Sequence, residues 1–239
     1  MNQGPAAGIA AARDHVLSGI AAACARAGRD PGEVTLVAVS KTVAPDRLRA
    51  AVAAGLTILG ENRVQEAEAK VADVPGATWH LVGPLQSNKV RRALQVFDLI
   101  ESVDSVALAE RMDRLVRDVR DVTPATRYPV LLQVNVDADP GKAGFAPAEL
   151  AGAAAAIGRL DALEVRGLMT IGRLVGDPQA ARPTFAGLRT LSERLRADGL
   201  PIGPALSMGM SDDYPIAIEE GATLVRVGSA LFGDRSPHL

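Results

Sequence analysis

Lys41 closes the apolar run VTLVAVSK, so a primary amine stands at the end of a segment suited to a buried strand. Low-dielectric surroundings disfavour an ammonium and bring a lysine below its ordinary pKa of about 10.4. A neutral amine in such a place attacks aldehydes. Taken by itself, the plainer reading is a lysine that caps a strand and pairs with a carboxylate. Two further segments change that balance. In SMGMSDD, Ser207, Gly209 and Ser211 lie where backbone amides can converge on an anion, just before a helical stretch whose N-terminus adds roughly half a positive charge. In VRVGS, Gly228 and Ser229 can complete the same pocket. A glycine turn with capping serines accounts equally well for SMGMS alone. Arg226, if its segment is a strand, lies on the face opposite Val225 and Val227. Its guanidinium stays protonated and only donates, so against a ring nitrogen it would disfavour ring protonation. A structural ion pair, with Glu61 as partner, is the alternative for Arg226.

These residues matter together only if a fold brings them together. Apolar runs rich in Val, Ile and Leu recur at 35–40, 57–61, 78–83, 99–103, 130–136, 165–171, 205–208 and 223–227. Between them, 44–54, 63–72, 88–96, 105–119, 147–159, 178–198 and 212–220 carry helical periodicity. Near-continuous apolar strands separated by crossover helices indicate a parallel sheet buried on both faces. Repetition of that unit predicts an α/β fold, a single (β/α)8 TIM-type barrel over 1–239, with an extra N-terminal helix at about 6–28 packed outside or below it. A doubly wound sheet binding a dinucleotide would bring a GxGxxG turn after an early strand, and none occurs. In a barrel the active site lies at the C-terminal ends of the strands. There the chain offers Ser40, Lys41 and Thr42; Glu61, Asn62 and Arg63; Gly83; Asn135; Thr170; and the Ser207 and Arg226 segments.

Composition removes several alternatives. Net charge is −2 with basic residues scattered, so the counterion release that drives nucleic-acid binding has no footprint. Cys24 is the single cysteine, which excludes an intramolecular disulfide and fits a reducing compartment. The N-terminal segment lacks a basic n-region and reads as a cytoplasmic helix, and no window approaches the roughly 20 apolar residues of a membrane span. His15, His80 and His238 form no metal-ligand spacing; His80 reads as a satisfied core histidine. Met169, Met208 and Met210 read as packing residues, and Lys89 and Lys142 as solvent-facing.

Seven motifs in order carry a further signal: AVSKT (38–42), GENRVQE (60–66), WHLVGPLQSNK (79–89), QVNVDADPGKAGF (133–145), GLMTIG (167–172), LSMGMSDD (206–213) and VRVGSALFG (225–233). Together they resemble the pyridoxal 5'-phosphate (PLP) homeostasis family of the YggS/PROSC type, which is related to the barrel domain of alanine racemase. The resemblance implies PLP as cofactor, Lys41 as its Schiff-base lysine, and Arg226 facing the pyridine nitrogen. It also implies that Ser207, Gly228 and Ser229 hold the phosphate, with Asn62 beside the cofactor. Glu101 stands where the family often has His, and Arg63 where Tyr is frequent. The implied function is intracellular PLP homeostasis: a cytoplasmic carrier, monomer or weak homodimer, that influences amino-acid and keto-acid balance and has PLP-dependent apoenzymes as partners. Neither nucleic acid nor a membrane is an expected partner. The alternative is a PLP-dependent amino-acid racemase, which needs a second base opposite the lysine. The candidates are Tyr128, expected near the bottom of strand five, and Tyr214, expected in a packing or solvent-facing role. A scaffold that keeps the barrel without the cofactor is a third reading.

Overall fold

Each apolar run forms a strand, and the helical segments return the chain so that every neighbouring pair runs parallel. A computed structural model describes residues 5–172 and 176–233. Its strands are β1 (Thr35–Val39), β2 (Ile58–Glu61), β3 (Thr78–Leu81), β4 (Leu99–Val103), β5 (Tyr128–Gln133), β6 (Leu163–Met169), β7 (Ala205–Ser207) and β8 (Leu224–Val227). They close in sequence order into a barrel, which makes the protein the expected (β/α)8 fold. At the closure Thr35 pairs with Leu224, Leu36 with Val225, Val37 with Arg226 and Ala38 with Val227.

Alternation along the strands divides the core in two. Outward residues such as Ala38, Leu59, Ile100, Leu132 and Val225 meet the helices in one continuous apolar layer. Inward, Leu99, Leu131 and Met169 form a smaller cluster, flanked by Ala205 and Leu224. The helices are α1 (Pro5–Ala27), α2 (Pro45–Ala53), α3 (Val64–Glu68), α4 (Val90–Val96), α5 (Val106–Val116), α6 (Leu150–Ile157), α7 (Arg182–Ala197), α8 (Tyr214–Glu219) and α9 (Ser229–Phe232). Ser105 caps α5, its hydroxyl accepting the Leu108 amide at 3.3 Å.

The extra helix α1 lies on the outside, against α8, α2 and α9. Its Ile9, Val16, Ile20 and Ala23 are buried at helical spacing, which explains why an Ala-rich segment docks there. Arg29, just beyond α1, donates to the Ile218 and Ala222 carbonyls at 2.9 and 2.8 Å, capping the end of α8. No helix among the described residues is long and apolar enough to cross a membrane. His238 lies outside the described residues.

Several boundaries differ from expectation by a few residues, and two of the differences have a clear cause. The helix read over 63–72 stops at Glu68 and continues as a short 3-10 turn, Val71–Asp73. The reason is tertiary: the Lys70 side chain turns inward to buried acceptors. Strand β5 starts earlier than expected, at Tyr128, because its amide bonds the Ala162 carbonyl at 2.8 Å and its hydroxyl donates to Phe97 at 2.7 Å.

Strand β6 approaches β7 closely at Gly167, which pairs with Ala205. A Cβ on Gly167 would run into the Ala205 peptide, its carbonyl carbon lying 2.6 Å away. Gly167→Ala is therefore expected to destabilise the protein by about 3 kcal/mol or more, since backbone must move. Chemical denaturation checks this; a change below about 0.5 kcal/mol would contradict the packing.

Candidate functional site

The closure of the barrel makes the first and last strands neighbours, and so gathers residues from opposite ends of the sequence. Val37 and Val39 face inward, which puts Lys41, two residues on, at the inward side of the rim, where it is partly buried. Ser40 faces outward. Its hydroxyl donates to Glu61 Oε1 at 2.7 Å, and its carbonyl accepts the Val43 amide at 3.0 Å. On β8, Gly228 sits against β1: a Cβ there would lie 3.3 Å from the Val39 carbonyl oxygen. Glycine thus allows the end of β8 to approach the strand that carries Lys41.

Beside it lies an anion-ready cradle. The Gly228 and Ala230 amides both donate to the Ser211 hydroxyl, at 3.2 and 3.5 Å, so two backbone N–H groups already converge on one oxygen. Ser229 is exposed at the start of α9. The loop from β7 is held by Asp213, whose Oδ1 accepts the Met210 amide at 2.6 Å. Burial raises the pKa of Asp213, while that hydrogen bond and the charge of Arg226 pull it back.

Below the rim, a hydrogen-bonded chain crosses the barrel interior. Arg226, 4% exposed, donates through Nη1 to Ser207 Oγ at 2.5 Å and through Nη2 to the Thr170 carbonyl at 2.8 Å. Ser207 in turn donates to Glu101 Oε2 at 2.5 Å, and Glu101 Oε1 meets His80 Nδ1 at 2.8 Å. Burial by itself would raise the Glu101 pKa. The His80 hydrogen bond and charge, with Arg226 and Ser207, outweigh that and hold the carboxyl below its ordinary value. Burial lowers the pKa of Arg226, opposed by the charges of Glu101 and Asp213, but the guanidinium remains the charged partner.

The six residues singled out from sequence therefore fall into distinct places. Lys41, Gly228 and Ser229 lie on the same rim, just past the paired ends of β1 and β8. Arg226 points inward, opposite Val225 and Val227, and its partners are Ser207 and Thr170 rather than Glu61. Glu61 is paired with Lys70 at 2.7 Å instead. Ser207 lends its hydroxyl to the interior chain, whereas Ser211 provides the hydroxyl at the amide cradle. Asn62 is half-buried just past β2, its Cα only 2.7 Å from where a Cβ on Gly83 would be.

His80 is a satisfied core histidine, as expected, and its partner Glu101 is the residue that sequence reasoning undervalued. The signal was present: a carboxylate inside the apolar run LIESV, on the same face as Leu99. Lys142 does not face solvent as expected. It donates to the Gly172 carbonyl at 3.0 Å and to the Ile171 carbonyl at 3.3 Å, with Asp137 and Asp139 at 4.0 and 3.9 Å, because the 135–145 loop folds back over the strand ends. Lys89 is half-buried. Among the described residues no group of three or more His, Cys, Asp or Glu side chains is arranged to hold a metal.

Known proteins share this sequence and this architecture. Residues 17–236 match the family model described as the alanine racemase N-terminal domain. A pyridoxal phosphate homeostasis protein of Pseudomonas aeruginosa is 44% identical over 225 residues, covering 92% of this chain and 93% of the relative. Among solved structures, a protein of Bifidobacterium adolescentis with no stated function is 40% identical, with a TM-score of 0.86 and 97% of each chain covered. PipY of Synechococcus elongatus, solved with PLP bound, is 43% identical with a TM-score of 0.76, covering 90% of this chain and 100% of PipY. With that identity sustained over nearly the whole chain, the protein belongs to the pyridoxal phosphate homeostasis family, within the alanine racemase N-terminal domain fold.

Proposed function

We propose that this protein holds PLP covalently on Lys41 and serves PLP homeostasis as a carrier. The observation that carries the reading is the position of Lys41 and the Gly228–Ser211 cradle on the same rim at the β1–β8 closure, above a buried arginine. The residues fit the cofactor. Two converging amides suit a phosphate oxygen, an amine lies on the inward side of the rim, and Arg226 is a donor-only group directed into the barrel. The name of the Pseudomonas relative and the PLP in PipY point the same way.

When bound, PLP supplies an aldehyde and an electron-withdrawing ring. Lys41 provides the amine that holds it. Gly228, Ser229 and Ser211 receive the phosphate through N–H and O–H donors. Arg226 would donate to the pyridine nitrogen and so disfavour its protonation. Ser207 acts at that end of the ring: its hydroxyl, shared between Arg226 and Glu101, fixes the guanidinium. Asn62 lines the side of the pocket.

The carrier reading is preferred to a racemase because neither tyrosine offers the second base. Tyr128 begins β5, at the far end from the rim, and spends its hydroxyl on Phe97. Tyr214 is buried beneath α1, where a Cβ on Gly19 would collide with its hydroxyl. Cytosolic location, PLP-dependent apoenzymes as recipients and a monomer or weak homodimer complete the proposal.

Three measurements test it. Borohydride reduction of the yellow protein followed by peptide mapping is expected to place the pyridoxyl group on Lys41; a label on Lys89 or Lys142 with Lys41 unmodified would sink the assignment. Ser207→Ala is expected to weaken PLP retention by about 0.5 to 3 kcal/mol, the range for a lost hydrogen bond in a charged network, as read by equilibrium dialysis. Unchanged retention would remove Ser207 from the site. Incubation of holoprotein with L-amino acids in deuterated water is expected to show PLP transfer to an acceptor apoenzyme without fast Cα exchange. Rapid Lys41-dependent inversion would establish the racemase instead.

A further inference from the structure

Behind the strand that ends at Lys41 lies a buried ionic group that the proposed cofactor site does not use. Lys70, just after α3, folds its side chain back toward the barrel and keeps only 10% of it exposed. Its ammonium donates to the Ser40 carbonyl at 2.9 Å and to Glu61 Oε1 at 2.7 Å. The Ser40 hydroxyl donates to that same carboxylate oxygen at 2.7 Å. Glu61 is fully buried, and its other oxygen has no hydrogen-bond partner among the described residues. Burial raises the Glu61 pKa, and the hydrogen bond from Lys70 opposes it.

Stability is a poor reason for such a group. Removing two ions from water costs several kcal/mol each, and well-packed apolar replacements of a buried pair often leave a fold as stable or more so. Its effect is local. The Ser40 carbonyl belongs to the peptide that joins Ser40 to Lys41, and it accepts both the Lys70 ammonium and the Val43 amide. On the other side of Lys41, Thr42 has φ of 65°, a left-handed conformation that a β-branched residue adopts only under constraint from its surroundings. Lys41 is thus held between a clamped peptide and a residue forced into an unusual turn.

We propose that Lys70 is a positioning residue for Lys41: anchored by Glu61, its ammonium fixes the Ser40–Lys41 peptide so that the Lys41 amine is directed to the cradle, and thereby sets how slowly PLP is released. The proposal rests on the reading of Lys41 as the Schiff-base lysine. It assigns to GENRVQE, through Glu61, a role exerted from behind the strand rather than from within the pocket.

The test removes both charges, because either single neutralisation strands the other ion in the core. Holoprotein carrying Glu61→Gln with Lys70→Met is compared with the unaltered protein by thermal melting, by borohydride mapping and by the rate at which PLP passes into the filtrate after dilution and ultrafiltration. The double variant is expected to melt near the unaltered protein and still label Lys41, but to release PLP about tenfold faster, the loss expected for one charge-assisted hydrogen bond. Lys70→Arg provides a second variant should the double one fail to fold. It keeps a cation beside Glu61, but the longer side chain and planar fork shift the donor away from the ammonium's place on the Ser40 carbonyl, so release is again faster at unchanged melting temperature. Release at the unaltered rate from a folded variant, with Lys41 labelled, overturns the clamp and leaves the cofactor site standing. Absence of label on Lys41 in the unaltered protein overturns both.

Discussion

The in-register pairing of β1 with β8 is the contact on which the site depends, because it joins an amine from the first strand to a cradle from the last. Four consecutive residue pairs hold that seam, from Thr35 with Leu224 to Ala38 with Val227. One further residue along each strand, the two chains diverge into loops, and Lys41 and Gly228 emerge on the same rim. A slip of one residue would reverse the faces of a whole strand. It would turn Lys41 toward the helices and Arg226 toward the apolar outer layer. Register at this seam is therefore a functional quantity as well as a structural one. The outer helix α1 lies over it, packed on α2, α8 and α9, and ties its C-terminal end to α8 through Arg26 and Arg29.

The barrel interior accepts a charge that apolar packing alone would reject. An isolated buried guanidinium is costly, but Arg226 finds a carbonyl, a hydroxyl and the field of Glu101 within a few ångströms. Glu101 is similarly compensated by His80 and Ser207. The network is satisfied at each step, which is the condition under which buried polar groups rigidify a core rather than weaken it. It also has a direction. Glu101 bonds Ser207 and His80, so the carboxylate stays one residue behind the arginine, and the group at the end of the chain is a donor that cannot lose its proton.

Much of this was legible in the sequence, and the parts that were not share a cause. Eight strands could be placed because buried parallel strands write themselves as apolar runs, and Lys41 and Gly228 could be assigned to the rim by their position at the ends of those runs. Alternation alone put Arg226 opposite Val225 and Val227. What escaped were pairings between distant segments. Glu61 looked available to Arg226, but parity sends Glu61 outward, where Lys70 meets it. Ser207 and Ser211 lie four positions apart in one loop, and only the closed barrel assigns the first to the interior and the second to the amides. Lys142 looked exposed because nothing local shows that its loop folds over the ends of β5 and β6. In each case propensity and period describe an element, while a hydrogen-bond partner belongs to the packing of several.

The division of labour among these groups bears on why a barrel of this kind should carry a cofactor rather than use it. Fast carbanion chemistry requires an electron-poor ring and two bases on opposite faces of the substrate carbon. A ring nitrogen that receives a hydrogen bond from a permanently charged arginine gains little as an electron sink. At the β1–β8 seam the amine is Lys41, while both tyrosines are committed elsewhere, one at the start of β5 and one beneath α1. What the rim does offer is retention. Amides and a hydroxyl converge at the proposed phosphate position, and the peptide preceding Lys41 accepts from the ammonium of a buried ion pair. On the proposed reading, interactions made with the phosphate and with the peptide before Lys41 bind ground and transition states alike, which favours holding over turnover. Retention through one covalent, hydrolysable attachment, as proposed for Lys41, is the property a cofactor store needs.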